Sequence, residues 1–138
     1  AYTNTITVHL GYGNGSFHDQ TRHSIGHVSS SMTVADLNKD GKLDVVVGNW
    51  YSEITVLLGH GNGTFQDRVN YSVGFNPQTI AIGDLNNDQA LDIVVGNQWG
   101  DDISILLGSG DGSFQNETRY AVDSVGAVAV GDLNGDGK

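Results

Sequence analysis

The chain is 138 residues long, with 20 glycines, one proline, no cysteine and a formal net charge of −10. That length bounds it to one domain or part of one, and six Lys and Arg without a basic patch argue against a nucleic-acid partner. No apolar run approaches the roughly 20 residues that span a bilayer, and Ala1-Tyr2-Thr3-Asn4-Thr5 has neither the basic start nor the apolar core of a signal peptide.

In chain order, Ile6-Thr7-Val8 is the first short run and corresponds to later strand-like segments. Gly11-Tyr12-Gly13-Asn14-Gly15-Ser16-Phe17 follows and reads as a hairpin turn with glycine at positive φ. An acidic stretch, Asp36-Leu37-Asn38-Lys39-Asp40-Gly41-Lys42-Leu43-Asp44, runs directly into Val45-Val46-Val47-Gly48-Asn49. After Ile54-Thr55-Val56 the glycine turn returns as Gly59 to Phe65. Thr79 to Gly83 alternates and leads into a second acidic stretch, Asp84 to Asp92. Leu91 to Val95 leaves it as a β-branched run suited to burial on both faces. Ile103 to Leu107 is a third strand and Phe114 to Val122 a fourth, reached through the turn Gly108 to Phe114. Asp132-Leu133-Asn134-Gly135-Asp136-Gly137-Lys138 begins the acidic stretch a third time. No helical period is sustained anywhere.

The first Asp of the acidic stretch recurs every 48 residues, at 36, 84 and 132. A period of about 40–50 residues with four strands per unit is the signature of a propeller blade, with a β-solenoid as the alternative. Ala1 aligns with Asn49 and Lys138 with Lys42, so the counterparts of Leu43 to Gly48 are wanting from three full repeats. The expectation is a piece of a longer array, or an assembly in which neighbours supply that strand.

The acidic stretches place oxygen side chains at positions 1, 3, 5 and 9. Hard cations select such donors, and calcium takes six to eight oxygens at roughly 2.3–2.6 Å. The expected ligands are Asp36, Asn38, Asp40 and Asp44 by side chain with Lys42 by its carbonyl, then Asp84, Asn86, Asp88 and Asp92 with Ala90 by its carbonyl. The third set would be Asp132, Asn134, Asp136 and Lys138. An EF-hand is excluded, because Val47 and Val95 stand where its twelfth-position Glu belongs. The competing account is a set of hydrogen-bonded Asx-turns, although the crowded carboxylates would repel one another without a cation. Gln89 replaces the glycine found at Gly41, so strain is expected in the second loop.

Other features carry less. The Gly-x-Gly-Asn-Gly turns match neither a dinucleotide fingerprint nor a P-loop. His23 and His27 are four apart but on no helix, which argues against a shared metal. Trp50 and Trp99 each follow a second strand and suit either inter-blade packing or a sugar-stacking platform. Asn14, Asn62, Asn70 and Asn116 head glycosylation sequons. No nucleophile, base and acid combination stands out.

The acidic loop, the Val-Val-Gly-Asn strand and the Gly-x-Gly-Asn-Gly-x-Phe turn together resemble the FG-GAP (VCBS-type) repeats, which build the integrin α-subunit propeller. The likeness covers essentially the whole chain. It implies an all-β fold of propeller blades, each a four-stranded antiparallel sheet with calcium in the loop joining its first two strands. About three repeats are expected, near 1–42, 43–90 and 91–138, as part of a larger propeller or assembly. The expected role is a calcium-stabilised, non-catalytic scaffold, adhesion or assembly module, extracellular or at the cell surface. A carbohydrate-binding lectin and an accessory domain of a secreted polysaccharide-active enzyme are the alternatives. The expected partners are a protein or glycan ligand, or further copies of the repeat, with Ca2+ the only cofactor.

Overall fold

The computed structural model describes residues 4–135. The described residues hold ten strands and no helix, and every paired strand is antiparallel. Strands β1 (Thr5–Val8) and β2 (Thr21–Ser24) pair as a two-stranded sheet. Next come β3 (Ser29–Ala35), β4 (Asp44–Asn49), β5 (Glu53–Leu57) and β6 (Val69–Ser72), which pair in chain order as one four-stranded sheet. The second four-stranded sheet repeats that order with β7 (Pro77–Gly83), β8 (Asp92–Asn97), β9 (Asp102–Leu106) and β10 (Thr118–Ala121). These are two propeller-type blades, each entered through one acidic loop between its first and second strands.

The sequence explains the layering. The Asp-Val-Val-Val-Gly-Asn and Asp-Ile-Val-Val-Gly-Asn strands are buried at every position. Each has a strand on both edges and apolar neighbours on both faces, so an unbroken β-branched run is favoured there. Alternate residues of β4 go to different cores. Val46 joins Leu37, Ile54, Val56 and Val73 from the first blade with Ile93, Val95 and Leu106 from the second. Val45, Val47 and Leu57 turn the other way, onto Ile6 and Ile25. The first core is therefore an interface between blades, and neither blade would bury its apolar face alone.

Asn76 stitches the two blades at their junction. It is buried at φ 59°, its N–H bonds Tyr51 O at 2.9 Å, and its own carbonyl accepts the Gln98 N–H at 3.0 Å. The glycine turns are hairpin tips as the sequence implies. In the first, Gly13 and Gly15 have φ 80° and 90°, and Gly11 bridges Phe17. Gly59 and Gly108 are required for another reason. A Cβ there would sit 2.2 Å from the carbonyl oxygens of Leu43 and Leu91, where the turn closes over the end of the acidic loop.

Strand limits differ in detail from the sequence reading. The fourth strand of the second blade is Thr118–Ala121 rather than Phe114 to Val122. Phe114 instead makes an isolated bridge to Gly108, because the chain still has to wrap round the turn before it meets β9. Residues 124–131, the counterpart of β3 and β7, lie against the second blade without forming a strand. Val128 N reaches Thr79 Oγ1 at 3.3 Å there.

Candidate functional site

Each acidic loop reverses the chain between two strands. Lys39 and Gly41 adopt φ 60° and 80° in the first, Asn87 and Gln89 φ 62° and 69° in the second. Glycine reaches this region without strain, whereas another residue costs roughly 1–2 kcal/mol. The expected strain at Gln89 is thus present in its backbone.

The fold of the loop turns its oxygens inward onto its own amides. Asp36 Oδ1 and Asn38 Oδ1 both accept the Asp40 N–H, each at 3.1 Å, and Asp36 Oδ2 accepts the Gly41 N–H at 2.8 Å. Asp40 Oδ1 accepts the Lys42 N–H at 2.9 Å. The second loop copies the pattern. Asp88 N–H bonds Asp84 Oδ1 at 3.2 Å and Asn86 Oδ1 at 3.0 Å, Gln89 N–H bonds Asp84 Oδ2 at 2.8 Å, and Ala90 N–H bonds Asp88 Oδ1 at 2.7 Å. The Lys42 amide holds the Asp40 carboxyl below its usual range, and the Ala90 amide does the same for Asp88. Both groups therefore remain anionic in mildly acidic solution.

Asp44 and Asp92 stand apart from the other acids. Both are fully buried. Asp44 Oδ2 accepts the Leu37 N–H and Oδ1 the Gly59 N–H, both at 2.8 Å. Asp92 does the same with Leu85 and Gly108, also at 2.8 Å. One carboxylate thus ties the start of the acidic loop to the turn after the third strand.

Among the described residues, no Lys, Arg or His is ion-paired with Asp36, Asp44, Asp84 or Asp92. The first loop carries two cations, Lys39 and Lys42; Lys42 Nζ lies 3.4 Å from Asp40 Oδ2, and the charge of Lys39 reaches Asp88 of the second loop. No three His, Cys, Asp or Glu side chains among the described residues form a group that could hold a metal as they stand. The donor set nevertheless fits calcium chemically, since it contains only oxygens and each accepting oxygen keeps a further lone pair. In the third loop Asp132 Oδ1 accepts the Asn134 and Gly135 N–H groups at 3.2 and 2.7 Å. Asp136 and Lys138 lie outside the described residues.

A second polar cluster escaped the sequence reading. Asn49 Nδ2 donates to Thr55 Oγ1 at 2.9 Å, and that hydroxyl donates to Asn70 Oδ1 at 2.9 Å. In the next blade Asn97 Nδ2 donates to Ser104 Oγ at 2.8 Å, and Ser104 donates to Glu117 at 2.5 Å. Asn49 and Asn97 are fully buried, and their Oδ1 atoms have no hydrogen-bond partner. The recurrence of Asn after Val-Val-Gly was the available signal. Asn70 is therefore already engaged by Thr55, whereas the sequon residues Asn14 and Asn62 cap exposed turns through Ser16 and Thr64. Asn116 is exposed.

The tryptophans meet across the blade junction. Trp50 and Trp99 have ring centroids 6.0 Å apart, and Phe75 lies 5.6 Å from Trp99. All three remain about half exposed. The histidines have separate partners. His23 Nε2 is 2.8 Å from Gly63 O, while His27 lies beside Tyr51 and Glu53.

No curated protein matches the chain. The FG-GAP-like repeat signature matches three times, over residues 1–47, 36–95 and 84–138, and the matches together cover every residue. With two blades of one topology, each carrying one acidic loop at the same place, the chain belongs to the FG-GAP-like repeat family and is a β-propeller-type module.

Proposed function

We propose that this chain is a calcium-stabilised, non-catalytic propeller module of an extracellular or cell-surface protein, used for scaffolding, adhesion or assembly. The observation that carries the calcium reading is the pair of carboxylates at each complete loop that no basic side chain meets. Asp36 and the buried Asp44, like Asp84 and the buried Asp92, have no basic ion-pair partner among the described residues. A buried carboxylate without a countercharge is costly. Calcium would supply the missing positive charge. Asp36, Asn38, Asp40 and Asp44 would hold it with the Lys42 carbonyl, and Asp84, Asn86, Asp88 and Asp92 with that of Ala90. Asp132 and Asn134 offer the beginning of a third set.

The chain's own residues then do the structural work. Asp44 and Asp92 lock loop to turn, and the loop fixes the spacing of the first two strands of each blade. An extracellular setting suits such sites, since modular calcium sites there work at about 10⁻⁴–10⁻³ M. Asp36→Ala should weaken calcium binding by more than Lys42→Ala, because the first removes a donor oxygen and the second leaves the backbone carbonyl in place. Calorimetric titration of both variants checks the order, and equal losses would mean that the seventh position is misassigned.

A second reading, a carbohydrate-binding module, is favoured by the half-exposed Trp50, Trp99 and Phe75 at the blade junction. Aromatic faces of this kind stack on sugar rings through their apolar surface. On that reading the chain should bind a glycan array, and Trp99→Ala should abolish the signal while the chain keeps the wild-type circular dichroism spectrum. An array that stays blank, or binding unaffected by the substitution, removes this reading.

A further inference from the structure

A small polar groove recurs where the segment after a glycine turn comes back beside the outer strand of the preceding unit. The first groove, of about 360 Å3, is lined by Arg22, His23 and Ser24 from β2 and by Phe65, Asp67 and Arg68. The second, of about 420 Å3, is lined by the counterparts one repeat later, Asn70, Tyr71 and Ser72 from β6 with Asn116 and Glu117. There β6 is the outer strand of a complete four-stranded sheet, so the groove is a feature of the junction between units.

The two grooves share a shape and differ in charge. In the second, the polar groups are taken up by neighbours. Glu117 Oε1 accepts from Arg119 at 2.7 Å and Oε2 from the Ser104 hydroxyl, while Asn70 meets Thr55 at 2.9 Å and Glu53 at 3.4 Å. In the first, Arg22 and Arg68 stand in the places of Asn70 and Glu117, and they are two of the chain's three arginines. Both are exposed, and among the described residues neither is ion-paired. A Cβ on Gly26 would sit 2.6 Å from Arg68 Nη1, so this guanidinium lies against the backbone that follows β2. His23 packs edge-on against Phe65 at 4.8 Å, and its Nε2 is 2.8 Å from Gly63 O. A carbonyl only accepts, so that nitrogen carries a hydrogen and the ring is held. Asp67 also lines the first groove, which therefore holds two guanidinium groups against one carboxylate. The second holds one carboxylate and no cation.

We propose that the first groove binds the oxyanion of a small ligand, a carboxylate or a sulfate, free or as the acid group of a sugar, through Arg22 and Arg68. Guanidinium groups present planar forks of donors that match such oxygens and are weakly hydrated, so they suit anion capture in a shallow site. Ser24 adds a hydroxyl donor, and Phe65 and Leu57 give the groove an apolar wall. The volume lies at the lower end of small-molecule sites, roughly 300–1,000 Å3. The chain's net charge of −10 opposes an anion at long range, but that repulsion is screened beyond about 8 Å at physiological salt, whereas the contact with the arginines is not. The inference rests neither on calcium nor on the aromatic cluster at Trp50 and Trp99.

Glucuronate, inorganic sulfate and neutral glucose are the probes, titrated into the isotope-labelled full chain at constant ionic strength and followed by the NMR signals of the arginine Nε–H groups. The expected result is a saturable shift of Arg22 and Arg68 with an anion, none with glucose, and an unmoved Arg119. Arg22→Gln or Arg68→Gln should weaken binding by at least about tenfold, the loss expected for one charge-assisted hydrogen bond. Both arginines are exposed and not ion-paired, so the variants should keep the wild-type circular dichroism spectrum. Equal affinity for sulfate and glucuronate assigns the groove to a free oxyanion, and tighter binding of glucuronate assigns it to the acid group of a sugar. No saturable shift of Arg22 and Arg68 with either anion overturns the proposal. Glucose that binds as tightly as glucuronate, or wild-type affinity in either arginine variant, also overturns it.

Discussion

Asp44→Ala should destabilise the chain by about 2–6 kcal/mol, measured by urea unfolding in the presence of a chelator. The substitution strands two buried amides, those of Leu37 and Gly59, each now bonded at 2.8 Å. An unsatisfied buried donor costs about 1–3 kcal/mol. Loss of a buried charge works in the opposite direction and draws the total towards the lower end. Asp44→Asn keeps one acceptor but turns an NH2 group towards the other amide, so it should fall between alanine and wild type. Working in chelator matters, because it isolates the clamp between loop and turn from any ligand role. Unfolding midpoints of Asp44→Ala and wild type that coincide under these conditions would show that the carboxylate does not tie loop to turn.

Leu37→Ala should cost about 2–5 kcal/mol, while Leu85→Ala should cost less than about 1 kcal/mol. The two leucines hold the same position in successive repeats. Leu37 is 1% exposed in the core between the blades, and Leu85 is 39% exposed. Truncating the first removes apolar contact and leaves a cavity that close-packed neighbours cannot fill. Truncating the second removes atoms that already meet solvent. The comparison holds residue type and repeat position constant, so any difference reports packing between blades. Equal losses would mean that the blades are not stabilised by one another.

Much of the fold could be read from the residues. Period-two alternation and β-branched runs mark β4, β7 and β8, and glycine at positive φ marks the hairpin tips. The repeat of 48 residues implies units that pack against one another, and the shared core of Val46, Ile54, Ile93 and Val95 joins the first blade to the second. Burial within the acidic motif was not legible. Four oxygen donors at fixed spacing look equivalent in sequence, yet Asp36 and Asp40 lie on the loop while Asp44 is sealed beneath it. That distinction depends on Gly59, which the third strand carries back over the loop end. Asn49 was visible as a repeated letter, but its link to Thr55 and Asn70 requires the register of three strands. The sequence left Trp50 and Trp99 open between inter-blade packing and a sugar-stacking platform, and the structure places the two rings in contact across the blade junction, each about half exposed.

The most direct test of the central claim is a pair of thermal melts of the full chain, one in millimolar calcium and one in excess chelator. A ligand bound only by the native state stabilises it by RT ln(1 + [L]/Kd), about 2.7 kcal/mol at a hundredfold excess over Kd. Calcium should raise Tm by several degrees, with a smaller rise in Asp36→Ala, where a donor to the first loop is lost. Superimposable melts of the wild-type chain in calcium and in chelator would contradict the account.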